Sequence, residues 1–168
     1  MAKVLITSEF FGRFDPTARK LLCDAGHIVV DNPYGHKFLS PEEIIPYAGD
    51  ADAFICDLER ITQEVIDAAP NLKIIARRGI GIDSVDHRYA ATKGIEVART
   101  LGLVEAPVAE VVFAYILHFS RNISQMNSYM HKGTWEKILS SSVDGKILGI
   151  VGLGNIGLEV AKRAAAFR

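Results

Sequence analysis

Six short apolar runs punctuate the chain, at residues 3–7, 27–30, 53–56, 72–76, 95–98 and 146–151. Most are continuously apolar, which is the pattern of strands covered on both faces of a parallel sheet. Helical signals stand between them. Asp15-Pro16 offers an N-cap followed by proline at the first helical position. Ser40-Pro41-Glu42-Glu43 repeats this and adds a capping-box glutamate. Thr62 can cap a segment ending near Ala69, and Gly26 and Gly94 follow helical stretches where a left-handed residue is cheapest as glycine. Strands alternating with helices of about ten residues predict an α/β fold built on a doubly wound parallel sheet. No internal repeat or low-complexity linker interrupts the pattern.

The rhythm changes after Ala98. Residues 106–130 read as one long helix with Pro107 near its first turn. Val108, Val112, Tyr115, Phe119, Ile123, Met126 and Met130 recur at three- or four-residue steps and form one apolar stripe. Val111, Phe113, Ile116 and Leu117 make other faces of the first half apolar too, so that half is expected to be buried between layers or between subunits. Glu110 and His118 interrupt the apolar stretch 108–119, which is shorter than the ~20 residues of a membrane span.

Charge narrows the function classes. The 168 residues carry 19 Lys+Arg against 20 Asp+Glu, a formal net charge of -1, so there is no basic excess for nucleic acid or a membrane surface. Cys23 and Cys56 make neither a disulfide framework nor a CxxC knuckle. The first residues lack the apolar region of a signal peptide. A cytoplasmic protein is the expectation.

The segment 145–167 carries the clearest chemistry. Gly152, Gly154 and Gly157 form GxGxxG between an apolar run and an alanine-rich helical stretch. The first glycine permits a tight turn, the second lets a pyrophosphate approach the backbone, and the third lets helix and strand pack closely. Helix amides and the positive dipole end would then face the phosphates. The acidic residue that holds the ribose stands ~20 residues further on in this motif, beyond Arg168. Three glycines in an ordinary strand–helix turn are the bland alternative.

A second segment, Arg77-Arg78-Gly79-Ile80-Gly81-Ile82-Asp83-Ser84-Val85-Asp86, follows the run 72–76. Ligands of open α/β sheets bind beyond the carboxyl ends of strands. Gly79 and Gly81 expose backbone amides there, and Arg77 can grip a carboxylate or phosphate bidentately. The residues alone fit equally well a glycine turn with solvated arginines, Asp83 or Asp86 capping the next helix.

Together these segments resemble the D-isomer-specific 2-hydroxyacid dehydrogenases, in particular their phosphoglycerate dehydrogenase branch. Residues 77–86 match Arg-x-Gly-x-Gly-x-Asp-x-Val-Asp, 90–97 the following helix and strand, Val108-Ala109-Glu110 a helix start, Gly133 and Trp135 a loop, and 145–167 the nucleotide fingerprint. The resemblance implies a flavodoxin-like substrate domain at 1–101, a crossover helix and loop at 102–145, and the first βα unit of an NAD-binding Rossmann domain at 146–168. It implies a small 2-hydroxy or 2-oxo acid as substrate, 3-phosphoglycerate among the candidates, held by Arg77, Gly79, Ile80 and Gly81. It implies NAD as cofactor, against Ile80, Gly152, Gly154, Asn155, Ile156 and Gly157, and a homodimer through the 106–130 helix.

In the family, hydride transfer rests on an arginine and on a histidine paired with a glutamate. All three lie in a second half that these residues do not match. The expectation is therefore the amino-terminal part of a dehydrogenase, inactive and weak in cofactor affinity alone; the alternative is a half-length binding or dimerisation module. Two departures stand out. The loop 99–104 reads Arg-Thr-Leu-Gly-Leu-Val where the family reads Asn-x-Pro-Gly-x-Asn. Asp57 stands near the place of a phosphate-binding arginine and would repel a phosphate.

The remaining chemistry-bearing residues suggest structure. His27, His36, His87, His118 and His131 show no metal spacing, and His118 reads as a satisfied interface histidine. Both cysteines read as buried, inert thiols. Phe10 and Phe11 fit a substrate mouth, core packing or a domain contact, and Trp135 an anchor for the loop after the long helix.

Overall fold

The computed structural model describes residues 1–35 and 37–167. His36 and Arg168 lie outside the described residues, and with them the metal reading of His36. The chain divides into two compact units, Met1–Leu101 and Gly102–Arg168.

The first unit runs β1 (Lys3–Ile6), α1 (Thr17–Asp24), β2 (Ile28–Val30), α2 (Pro41–Ala48), β3 (Ala53–Cys56), α3 (Gln63–Asp67), β4 (Ile74–Arg77), α4 (His87–Thr92) and β5 (Glu96–Arg99). The strands form one parallel sheet in the order β2-β1-β3-β4-β5. This is the flavodoxin-like order, which reverses direction between β1 and β3. Five of the six apolar runs are these strands, shifted by a residue or two at their ends. The core gathers Leu5, Phe54 and Ile75 from the sheet with Ile44, Val65 and Ala90 from the helices. Val4, Leu5 and Ile6 are all buried, as two-sided cover of a central strand requires.

Local signals explain the helix ends. The Glu43 carboxylate accepts the Ser40 amide at 3.0 Å, completing the capping box that starts α2. Asp15 accepts the Thr17 amide at 2.9 Å, so α1 begins one residue later than proline-first spacing implies, with Pro16 outside the helix. Gly26 and Gly94 take φ of 79° and 72°, ending α1 and α4.

The second unit holds α5 (Glu105–Ser120), α6 (Ile123–His131), α7 (Asn155–Ala164) and a closing 3₁₀ turn (Ala165–Phe167). The single long helix expected over 106–130 is two helices. Asn122 adopts a left-handed conformation at φ 52°, which asparagine tolerates better than most residues. Its side-chain amide donates to the Leu139 carbonyl at 2.9 Å, and Ser141 N–H reaches the Ser120 carbonyl at 2.9 Å. The returning loop thus satisfies the end of α5 and stops the helix.

The second unit buries little. Ala109 of α5 and Val160 of α7 are its buried apolar residues among those described. Phe113 and Phe167 stack with ring centroids 5.2 Å apart, joining α5 to the last turn. The run 146–151 is not a strand: it pairs with no other among the described residues, and Ile147 is 99% exposed. A strand needs a neighbour's edge to complete its ladder, and this unit offers none among the described residues. Within this chain Val108, Tyr115, Phe119, Ile123, Met126 and Met130 of the 108–130 stripe are exposed, so the chain's own residues do not cover them. Trp135, expected to anchor the loop after the long helix, is 84% exposed and is not buried against the described residues. No helix among the described residues is long and apolar enough to cross a membrane.

Candidate functional site

The carboxyl edge of the first sheet collects polar residues that a core would exclude. The Thr7 and Ser8 amides follow β1 and both donate to the Ile55 carbonyl of β3, at 2.9 and 3.2 Å. The Arg78 amide, just past β4, donates to the Cys56 carbonyl at 2.8 Å. These bonds set the ends of β1, β3 and β4 side by side, and Ser8, Asp57 and Arg78 follow directly. Ser8 Oγ donates to Asp57 Oδ2 at 3.4 Å, and Arg78 Nε stands 3.4 Å from the same oxygen. Asp57, expected to repel a phosphate, is thus buried and spent on an arginine of its own unit.

Glu59 lies beneath. It is 2% exposed, its Oε2 accepts the Asp57 amide, and its Oε1 has no partner among the described residues. Burial pushes its carboxyl above the ordinary range, and the Asp57 charge pushes the same way against the Arg77 charge. Burial likewise drives the Cys56 thiol up to about 12. Cys23, expected buried, is exposed on α1, 3.9 Å from an Arg19 nitrogen.

The glycine turn after β4 sits on this edge. Gly79 has φ 156°, and a Cβ there would collide with the Arg77 guanidinium, 2.5 Å from its central carbon. Arg77 therefore folds back over Gly79, and its Nη1 donates to the Arg78 carbonyl at 3.1 Å. Its Nε is buried without a partner, and it forms no ion pair among the described residues. Ile80 is half-buried, and Gly81, exposed, comes within 3.4 Å of Asp83 at its missing Cβ. The Thr100 amide, past β5, closes onto the Gly79 carbonyl at 3.0 Å. Asp86 rather than Asp83 caps α4, accepting the Tyr89 amide at 3.0 Å.

Arg99 is the residue that sequence reasoning missed here. It is the register partner of Arg77 across β4 and β5, and its Nη1 points to the Ile80 carbonyl at 3.5 Å. Only the strand pairing brings the two arginines together; their spacing of 22 positions carries no such signal.

Nearer β1, Phe10 stacks on Phe14 at 6.1 Å and meets Phe38 edge-on at 6.4 Å, with Arg13 over both stacked rings. Phe11 lines a depression of about 220 Å³ with Ser8 and Asn32.

In the second unit the three glycines form a tight turn into α7. Gly152 takes φ 94°, and Gly154 is the residue before the helix, its carbonyl accepting the first helical bond from Leu158 at 2.9 Å. A Cβ on Gly157 would strike the Gly152 carbonyl oxygen and lie 3.3 Å from its carbon, so glycine alone permits this approach. A Cβ on Gly154 would meet nothing within 4 Å, which leaves the backbone open before the helix. Asn155 and Ile156 begin α7, where first-turn amides have no intrahelical acceptor.

Glu105 was also missed. This buried carboxylate accepts the Gly102 amide at 3.0 Å and the Val104 amide at 3.1 Å, and Asn155 Nδ2 lies 3.5 Å away. Its own backbone amide first, then those of Gly102 and Val104 with the Asn155 side chain, hold its carboxyl below the usual range. His118 bonds Ser124 at 3.0 Å within its own unit. No group of three or more metal-ligating side chains occurs among the described residues.

Comparison with known proteins gives a consistent answer. The family profile described as D-isomer specific 2-hydroxyacid dehydrogenase, catalytic domain, matches residues 4–165. A D-3-phosphoglycerate dehydrogenase from Sus scrofa is 38% identical over 170 residues, which cover 99% of this chain and 30% of that protein. A hydroxypyruvate reductase from Thermotoga maritima is 36% identical over 156 residues, covering 91% of this chain and 50% of that protein. Among solved structures, the TT0316 protein from Thermus thermophilus superposes with a TM-score of 0.89 at 33% identity, covering 98% of this chain and 53% of that one. An NAD-dependent formate dehydrogenase from Staphylococcus aureus, solved with NAD, superposes at 0.81 and 26% identity, covering 99% and 54%. The chain thus spans about half or less of the length of these relatives.

Proposed function

This chain belongs to the D-isomer specific 2-hydroxyacid dehydrogenase family, and on that footing we propose that the protein carrying it exchanges a hydride between a small D-2-hydroxy acid and a nicotinamide dinucleotide. The observation that carries the reading is Arg77. Its guanidinium lies over Gly79 at the carboxyl edge of the sheet and is claimed by no carboxylate among the described residues. Arg77 and the amides of Ile80 and Gly81 bind the acid's carboxylate, because charge-assisted bonds to an oxyanion are stronger than those to a carbonyl. The Gly79 amide, expected to join them, instead donates to the Arg77 carbonyl at 3.0 Å and closes the turn. Residues 1–101 are in this reading the substrate domain.

Residues 102–145 cross over to residues 146–168, which open the nucleotide domain. The turn there fits a pyrophosphate: Gly157 seats α7 against Gly152, and Gly154 leaves its backbone uncovered. Gly152, Gly154, Asn155, Ile156 and Gly157 would hold the phosphates at the positive end of α7. NAD, when bound, supplies the hydride acceptor.

The acid–base residues of the family reaction belong to a part of its members that these residues do not match. Residues 1–168 alone are therefore proposed to give no turnover and to bind NAD weakly. The exposed stripe of α5 and α6 meets a second copy in a homodimer, and a reducing compartment, the cytoplasm, suits two free thiols. The names of the relatives make 3-phosphoglycerate and hydroxypyruvate the first acids to try. Calorimetric titration of the full-length gene product with NAD, followed by NADH-linked assay of 2-oxo acids, tests the reading. Micromolar NAD binding and turnover support it; full-length protein that neither binds NAD nor oxidises NADH refutes it.

A further inference from the structure

We infer that Arg99 joins Arg77 in a clamp for a doubly charged acid, so that the substrate is a phosphorylated or dicarboxylic 2-hydroxy acid. The inference rests on the acid-binding reading of the 79–81 loop and adds the charge of the substrate's far end.

Arg77 and Arg99 are register partners in β4 and β5. Neighbouring strands stand about 4.8 Å apart, and paired residues project on the same face. Like charges directly opposite one another destabilise a sheet. The neighbouring Arg78 is compensated by Asp57. Neither Arg77 nor Arg99 forms an ion pair among the described residues.

Each guanidinium instead leans on a carbonyl of the same short loop, Arg77 on Arg78 and Arg99 on Ile80. The Arg99 bond, at 3.5 Å, is at the outer limit for such a contact. A guanidinium carries five donors, and one weak carbonyl bond leaves most of them open. Of the neighbouring carboxylates, Asp57 is spent on Arg78 and Ser8, and Glu59, whose ionisation the Arg77 charge favours, forms no ion pair with either arginine among the described residues. A monocarboxylate uses the loop amides and one arginine. A second anionic group is what the other arginine fits.

Amide NMR of the full-length protein, read at Gly79 and Gly81, tests this with acetate, succinate and inorganic phosphate as probes. Succinate or phosphate binds at least about tenfold more tightly than acetate. Arg99→Gln brings that ratio to about one while leaving acetate within about twofold. Arg99→Lys keeps the charge without the planar fork and restores part of the ratio. Phosphate ahead of succinate marks a phosphorylated acid, and the reverse order a dicarboxylic one. Equal binding of all three probes, binding of none, or a variant that weakens all three alike overturns the clamp. NADH-linked turnover keeps the two readings apart: turnover without the anion preference removes the clamp alone, and the preference without turnover removes the dehydrogenase reading alone.

Discussion

The Arg77 guanidinium occupies the space a side chain at position 79 would need. Residue 79 must therefore be glycine for Arg77 to reach the loop, apart from the demand of its φ of 156°.

Gly79→Ala is expected to expel the guanidinium. The KM for the acid substrate should rise about tenfold or more, with about 1–3 kcal/mol of stability lost to backbone strain. Steady-state kinetics and denaturant unfolding measure both; an alanine variant with parental KM would detach Arg77 from the substrate.

Gly157→Ala places a methyl group against the Gly152 carbonyl. The turn must open, at a cost of about 1–3 kcal/mol, as for other overpacked sites. NAD binding by the full-length protein should fall with it. Calorimetry that finds parental affinity would mean that the turn does not hold the dinucleotide.

The strands and caps were legible in the sequence because their causes are local. Continuous apolar runs mark covered strands, and Ser40 with Glu43 or Gly94 mark helix ends by their own chemistry. Gly157 could be read the same way, since its motif encodes a close approach. What failed depends on partners distant in sequence. Nothing local tells that Asn122 turns left-handed to meet the 139–141 loop, or that residues 146–151 lack a neighbouring strand in their unit. Cys23 and Trp135 look apolar in sequence yet lie on the surface. Arg99 gains its interest only from pairing with Arg77, a relation between strands.

Cysteine reactivity should separate the two thiols. Cys56, with its thiol at about 12, keeps its proton at pH 8, whereas Cys23 is exposed. Iodoacetamide and mass spectrometry should find one label per native chain, on Cys23, and two after unfolding. The raised value also has a sign: the folded state holds its proton more tightly than the unfolded chain, whose thiol titrates near 9.0. Stability is thus fully present below pH 9.0 and declines between there and about 12. Native labelling of Cys56 at pH 8 would contradict its burial.

Glu59→Gln removes a carboxyl that burial holds above its ordinary value, and the amide oxygen can still accept the Asp57 N–H. A raised folded value means that parental stability falls as pH rises through it. The variant should be at least as stable as the parent at pH 8, with the difference shrinking toward pH 4, by thermal unfolding at both pH values. A loss exceeding about 1 kcal/mol at pH 8 would mean that the ionised carboxylate is stabilising.

The most direct measurement is the steady-state kinetics of the full-length gene product and its Arg77→Ala variant, with NADH and a panel of 2-oxo acids that includes hydroxypyruvate and 3-phosphohydroxypyruvate. The expected result is NADH oxidation with at least one acid and a KM for that acid raised about tenfold or more in the variant. No turnover with any acid, or turnover with KM unchanged by the loss of Arg77, would contradict it.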